Sequence, residues 1–109
     1  MKKQQINYKA RAAIIKAIAH PSRLFIIEEL NKGKRSAGKL TEMIGADPST
    51  VSKHLGILKN AGLVFDEKRG TTVYYHLKAP CILDFISCVE AVLETNARTQ
   101  LEIVRRCKR

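Results

Sequence analysis

The sequence predicts a mainly α-helical domain with one β-hairpin, ordered α-α-α-α-β-β-α. Three observations carry this reading. Asp47-Pro48 and Gly62 punctuate one helix sharply. Two short runs, LVFDE and TVYYHL, are rich in branched and aromatic residues and flank a glycine turn. A long amphipathic stretch follows Pro80. A chain of 109 residues suits one domain, 1–109, with one modest core.

The elements follow in order. Residues 9–18 (KARAAIIKAI) read as a helix, with Ile14, Ile15 and Ile18 as its apolar stripe. His20-Pro21 breaks it, because a residue before proline avoids the helical region. Pro21 is then well placed to open the next helix, which runs to about Asn31 with Leu24, Ile27 and Leu30 on one side. Gly33 ends it. A basic cluster of Lys32, Lys34, Arg35 and Lys39 follows. Residues 37–44 form a short helix expected to bury Leu40, Met43 and Ile44, closed by Gly45.

Asp47 is a preferred N-cap and Pro48 suits the first turn, so a helix starts there and continues to Ala61. Val51, Leu55 and Leu58 form its buried stripe. At about 100° per residue, Ser49, Lys53 and Asn60 point the opposite way, with Thr50 and Ser52 on the shoulders. Residues 63–77 then make a hairpin whose turn, Lys68-Arg69-Gly70-Thr71, is basic. The last helix covers about 80–106. Ile82, Phe85, Ile86, Val89 and Leu93 line one face, which Cys81, Cys88 and Val92 widen. A domain this small has little of its own to cover so wide a face. A second copy of the chain is the natural cover, and packing on the first helix is compatible with it.

Composition narrows the function. Twenty Lys and Arg against ten Asp and Glu give a formal charge of +10, which points to a polyanionic partner. Apolar residues make up 45%, an ordinary globular share that argues against disorder. No apolar run reaches the ~18 residues of a membrane span, and the first residues lack the pattern of a secretory signal. A cytoplasmic, reducing setting is therefore expected for the three cysteines. No paired carboxylates, nucleophile–base pair or phosphate-cradling glycine loop suggests an enzyme.

Residues 37–61 are a helix-turn-helix, with 63–77 as a wing. Its second helix would enter the major groove of double-stranded DNA by its N-terminal half. Short hydroxyl side chains there suit contact with bases or phosphates, and a helix N-terminus favours phosphate. Lys53 adds a cation, and Lys68 and Arg69 offer two more to neighbouring backbone or minor groove.

The segments AIAHPSRLFIIEEL (17–30), PSTVSKHLGILKNAGLV (48–64) and KRGTTVYYHL (68–77) resemble the ArsR/SmtB-type metalloregulators. That resemblance implies a winged helix-turn-helix homodimer, joined through its terminal helices, that represses its own operon and lets go when an effector binds. It places Ser49, Thr50, Ser52, Lys53 and His54 where the family reads DNA, and Lys68 and Arg69 in its wing. Thr71 departs from the family pattern, which often has a second arginine there. The family's arsenic site on the first helix of the helix-turn-helix needs cysteines that SAGKLTEM lacks, and only Asp84 matches its zinc site on the last helix. His20, His54 and His76 are scattered over different elements and do not make a zinc site.

Cys81, Cys88 and Cys107 remain as the effector candidates. Cys81 follows Pro80 at a helix start and has Lys78 nearby, so it is expected to be the most thiolate-like of the three. Seven helical residues separate Cys81 from Cys88 by roughly 10 Å, beyond the ~7 Å that a disulfide spans. A shared site therefore needs a frayed helix start or a sulfur from a second chain. In an antiparallel dimer Cys107 would approach Cys81 or Cys88 of the other copy. Soft thiolates suit arsenic(III) or antimony(III) as an inducer, with no obligatory cofactor. The same thiols also fit a redox or persulfide switch, or plain packing. A winged helix of this charge also fits a non-specific architectural DNA binder or a protein-docking module.

Overall fold

The computed structural model describes residues 2–107. It contains α1 (Lys2–Ile18), α2 (Pro21–Asn31), β1 (Arg35–Ser36), α3 (Ala37–Ile44), α4 (Pro48–Asn60), β2 (Val64–Arg69), β3 (Thr72–Leu77) and α5 (Ile82–Cys107). The predicted order holds, with one strand added. β1 sits in the segment read from sequence only as a basic cluster, and it pairs antiparallel with β3, Arg35 opposite Tyr75 and Ser36 opposite Tyr74. The sheet order is β1-β3-β2. Ser36 ends β1 and also caps α3, its side chain accepting from the Lys39 N–H at 3.0 Å. Glu29, buried at the end of α2, holds Lys32 at 2.8 Å and Arg35 at 3.9 Å, which ties α2 to β1.

The core is built from α2, α3, α4 and the start of the hairpin. Ile26, Ile27, Leu40, Val51, Leu55, Leu58 and Val64 are essentially sealed from solvent. Ile18 closes it from α1 and Ile86 from α5. Two expectations need correction here. Met43 is exposed, and Ile44 only half-buried, because an eight-residue helix turns just Leu40 squarely into the core. On α2, Ile26 and Ile27 take the deep positions, and Leu24 packs at the margin.

The turns fix how α4 is presented. Gly45 ends α3 with φ +75°, a conformation that a side chain disfavours, and two residues later Asp47 caps α4. The hairpin closes through Gly70-Thr71, since Arg69 already pairs with Thr72. Gly70 supplies the positive φ such a tight turn needs. Lys68 and Arg69 thus end β2 rather than form the turn. A salt bridge of 3.0 Å from Lys59 to Asp66 fastens the end of α4 to β2.

The two outer helices are longer than expected or differently bounded. α1 begins at Lys2 rather than near residue 9, in a Lys- and Gln-rich stretch that favours helix without showing an apolar period. α5 begins at Ile82, so Cys81 lies in the turn before it, not in its first turn. α5 has 26 residues, about 39 Å of helix, and only Ile86 on it is buried. Val89, Val92, Leu93, Leu101, Ile103 and Val104 are each about half or more exposed, as are Ile15 and Tyr8 on α1. Among the described residues, α1 and α5 do not lie along one another. The radius of gyration is 17.9 Å, against about 13 Å for a compact chain of this size. The excess comes from α1 and α5 projecting beyond the core. Among the described residues, no helix is long and apolar enough to cross a membrane.

Candidate nucleic-acid interface

α4 presents its outer face as the sequence predicts: Ser49, Thr50, Ser52 and Lys53 are all exposed. The helix itself, PSTVSKHLGILKN, contains no acid. One acid stands at its threshold. Asp47 accepts the Thr50 N–H at 2.9 Å, the Thr50 hydroxyl at 2.8 Å and the Ser49 hydroxyl. The Ser49 bond, then the two from Thr50, draw its carboxyl down to about 2, so it is ionised at any working pH. Asp47 takes the Thr50 N–H and places its own negative charge at this helix start.

His54 is set apart from the exposed set. It is buried, against the expectation of a DNA contact, because it sits three residues after Val51 and beside Leu55, on the inward side. Its ring lies 4.3 Å from that of His20. Arg23 Nη1 is 3.2 Å from its Nδ1. Arginine only donates, so Nδ1 accepts and Nε2 carries the proton. Burial, then the positive neighbours His20, Arg23 and Lys53, push its pKa below the ordinary histidine value and so favour the neutral ring. His20 also caps α2, its Nδ1 accepting from the Ser22 N–H at 3.0 Å. The His20–Arg23–His54 group thus locks the start of α2 against α4, which fixes how α4 projects. Sequence reading treated the two histidines separately; the inward i, i+3, i+4, i+7 spacing of Val51, His54, Leu55 and Leu58 is the signal that turns His54 into the fold, while its meeting with His20 shows only in the structure.

The wing carries an ion-paired cluster. Lys68 and Arg69 are exposed at the end of β2. Glu67 accepts from Arg69 Nε at 3.0 Å and lies 3.3 Å from His76 Nε2. Arg69, then His76, hold the Glu67 carboxyl below its usual range. Because Nε faces Glu67, the outer nitrogens of Arg69 stay available to an anion. Glu67 was not singled out from sequence; its position two residues before Arg69 on one strand face is the signal.

The profile described as "Bacterial regulatory protein, arsR family" matches residues 20–65, which span α2 to the start of β2. The chain is 36% identical over 87 residues to an uncharacterized HTH-type transcriptional regulator of Mycobacterium tuberculosis, Rv0081, covering 79% of this chain and 76% of that one. This chain belongs to the ArsR family. It is a DNA-binding transcriptional regulator with a winged helix-turn-helix fold. The crystal structure of the M. tuberculosis regulator superposes with a TM-score of 0.76 at 33% identity, covering 86% of this chain and 95% of that one. The transcriptional repressor SdpR of Bacillus subtilis is 34% identical over 74 residues, 68% of this chain and 82% of its own. A homodimeric winged helix-turn-helix DNA-binding domain of Mycobacterium bovis, Mb0332, superposes with a TM-score of 0.76 at 26% identity, covering 89% of this chain and 90% of that one.

Within this ArsR-family chain, Cys81, Cys88 and Cys107 are all free and exposed. The structure does not bury Cys81 and Cys88 as packing residues of their own chain. Among the described residues, no group of three His, Cys, Asp or Glu side chains comes together as a metal-binding cluster. A three-sulfur site on these residues therefore requires a thiol from a second chain.

Proposed function

We propose that this protein is a homodimeric repressor of the cytoplasm that binds operator DNA sequence-specifically and releases it when a thiol-reactive effector, arsenic(III) or antimony(III), engages its cysteines. The observation that carries the DNA reading is the acid-free outer face of α4, where Ser49, Thr50, Ser52 and Lys53 stand exposed behind the Asp47 cap. In this reading α4 lies in the major groove, and Lys68 and Arg69 of the wing hold the flanking backbone. The uncovered apolar face of α5, with α1, supports a dimer, as does the homodimeric state of the M. bovis relative. Repression follows the repressors among its relatives.

The phosphate grip has a simple test. Lys53→Ala and Arg69→Ala are each expected to weaken promoter and scrambled duplexes by similar factors. Each also flattens the plot of log affinity against log salt by about one. Fluorescence anisotropy at several salt concentrations measures both. A loss confined to the promoter duplex would move that residue from phosphate contact to base reading.

The effector reading rests on three exposed thiols, all at or on the helix proposed to join the subunits. Each arsenic–sulfur bond formed from arsenous acid releases one water, made from its hydroxyl and the thiol proton. Binding across the two copies of α5 would then alter the spacing of the two α4 helices. Arsenite is expected to dissociate the reduced protein from promoter DNA, and the variant with Cys81, Cys88 and Cys107 all changed to Ser is expected to stay bound. Persistence of the wild-type complex in arsenite, with release by peroxide or a persulfide donor, would replace the metalloid by a redox switch at the same residues.

A further inference from the structure

The hydrogen bonds at the start of α4 fix which partners its hydroxyls accept. Asp47 is an ionised carboxylate and has no proton to give. The Ser49 and Thr50 hydroxyls must therefore both donate to it. Each hydroxyl has only one hydrogen, so what remains on its outer side is lone pairs. Both residues are exposed, so those lone pairs face whatever lies against α4. Asp47 itself is also acceptor-only. The helix start is thus a compact group of acceptors, in a protein whose surface otherwise offers mostly cationic donors.

In the major groove, the groups that can donate to such a cluster are the exocyclic amines, N6 of adenine and N4 of cytosine. Guanine N7 and O6, thymine O4 and phosphate oxygens are acceptors and would face lone pair against lone pair. From this the geometry points to Asp47 as a specificity-positioning residue: by fixing Ser49 and Thr50 as acceptors, it makes the start of α4 select A or C over G or T on one strand of the operator half-site. The inference rests on the proposed insertion of α4 into the major groove and adds what that helix reads.

Asp47→Asn separates this role from a structural one. Asparagine caps helices about as well as aspartate, so the fold and the Thr50 N–H bond are kept. Its amide has one acceptor oxygen and two donor hydrogens, so the two hydroxyls are no longer both fixed as acceptors. The probe is the promoter duplex together with a set in which each base pair of one half-site is replaced in turn, read by anisotropy at fixed salt. For the wild type, changing A or C to G or T at the position facing the helix start is expected to cost roughly fivefold or more. In Asp47→Asn that discrimination should fall to about twofold or less, while affinity for a scrambled duplex rises as a negative charge is lost. Ser49→Ala combined with Thr50→Ala should remove the same discrimination. An Asp47→Asn protein with the wild-type base profile overturns the inference and leaves Asp47 as cap and charge alone. A double alanine variant that keeps the discrimination overturns it as well. Absence of any promoter preference in the wild type would instead sink the operator reading beneath it, and this inference with it.

Discussion

Leu93→Asp is expected to leave each chain folded, make it monomeric, and weaken promoter binding about a hundredfold or more. Leu93 is 63% exposed on α5, and its neighbours Val89 and Val92 are also open, so a charge there removes no core contact of its own chain. In a dimer built on this face the same charge meets apolar surface twice, and desolvating it is costly. A monomer must bind each half-site alone and loses the gain of two linked sites, which ranges over about 10² to 10⁴. Light scattering gives the mass, circular dichroism the fold and anisotropy the affinity. A Leu93→Asp protein that remains dimeric with wild-type affinity would move the interface off this face of α5.

The second large effect is on stability. Leu55→Ala removes a fully buried side chain from the inner face of α4, and a loss of about 2–5 kcal/mol is expected from transfer and cavity terms together. Set against a typical total of about 5–15 kcal/mol, that is a large fraction. Ser52 lies exposed on the same helix, and Ser52→Ala should change stability by no more than about 0.5 kcal/mol. Urea unfolding of both variants at one fixed protein concentration makes the comparison, since a dimer's midpoint depends on concentration. Equal midpoints would mean that α4 is not seated on the core through Leu55.

Much of this architecture is legible in the residues because helix boundaries are chemical events. Asp47-Pro48 opens α4, and its side chain accepts from Thr50 as a cap should. Gly45 and Gly70 mark turns by conformations that other residues resist. The hairpin follows from two runs of branched and aromatic residues. What escaped reading was short or lacked a period. β1 is two residues long, so no alternation can show it. The first half of α1 has helix-forming residues but no apolar stripe to announce it.

The site was legible as a surface and less so as a network. The spacing on α4 put Ser49 and Lys53 outward, and they are outward. The motif assigned His54 to DNA, whereas the spacing of Val51, His54, Leu55 and Leu58 already turned it inward, onto His20 and Arg23. Asp47 read as a cap, and the engagement of two hydroxyls by its carboxylate emerges only when their distances are known. Cys81 and Cys88 were expected along an apolar stripe. Its first turns pack on the core through Ile86, but from Cys88 onward its own chain leaves it exposed, so Cys88 and its neighbours face outward until a second copy is considered.

The most direct test is anisotropy of the fully reduced protein on duplex DNA from its own promoter, against a scrambled duplex of equal length and composition, at physiological salt. Two chains per promoter duplex and a preference of about a thousandfold or more over the scrambled sequence are the predicted result. Equal affinity for the two duplexes, set by salt alone, would contradict the operator-binding repressor and leave a basic winged helix that holds DNA without reading it.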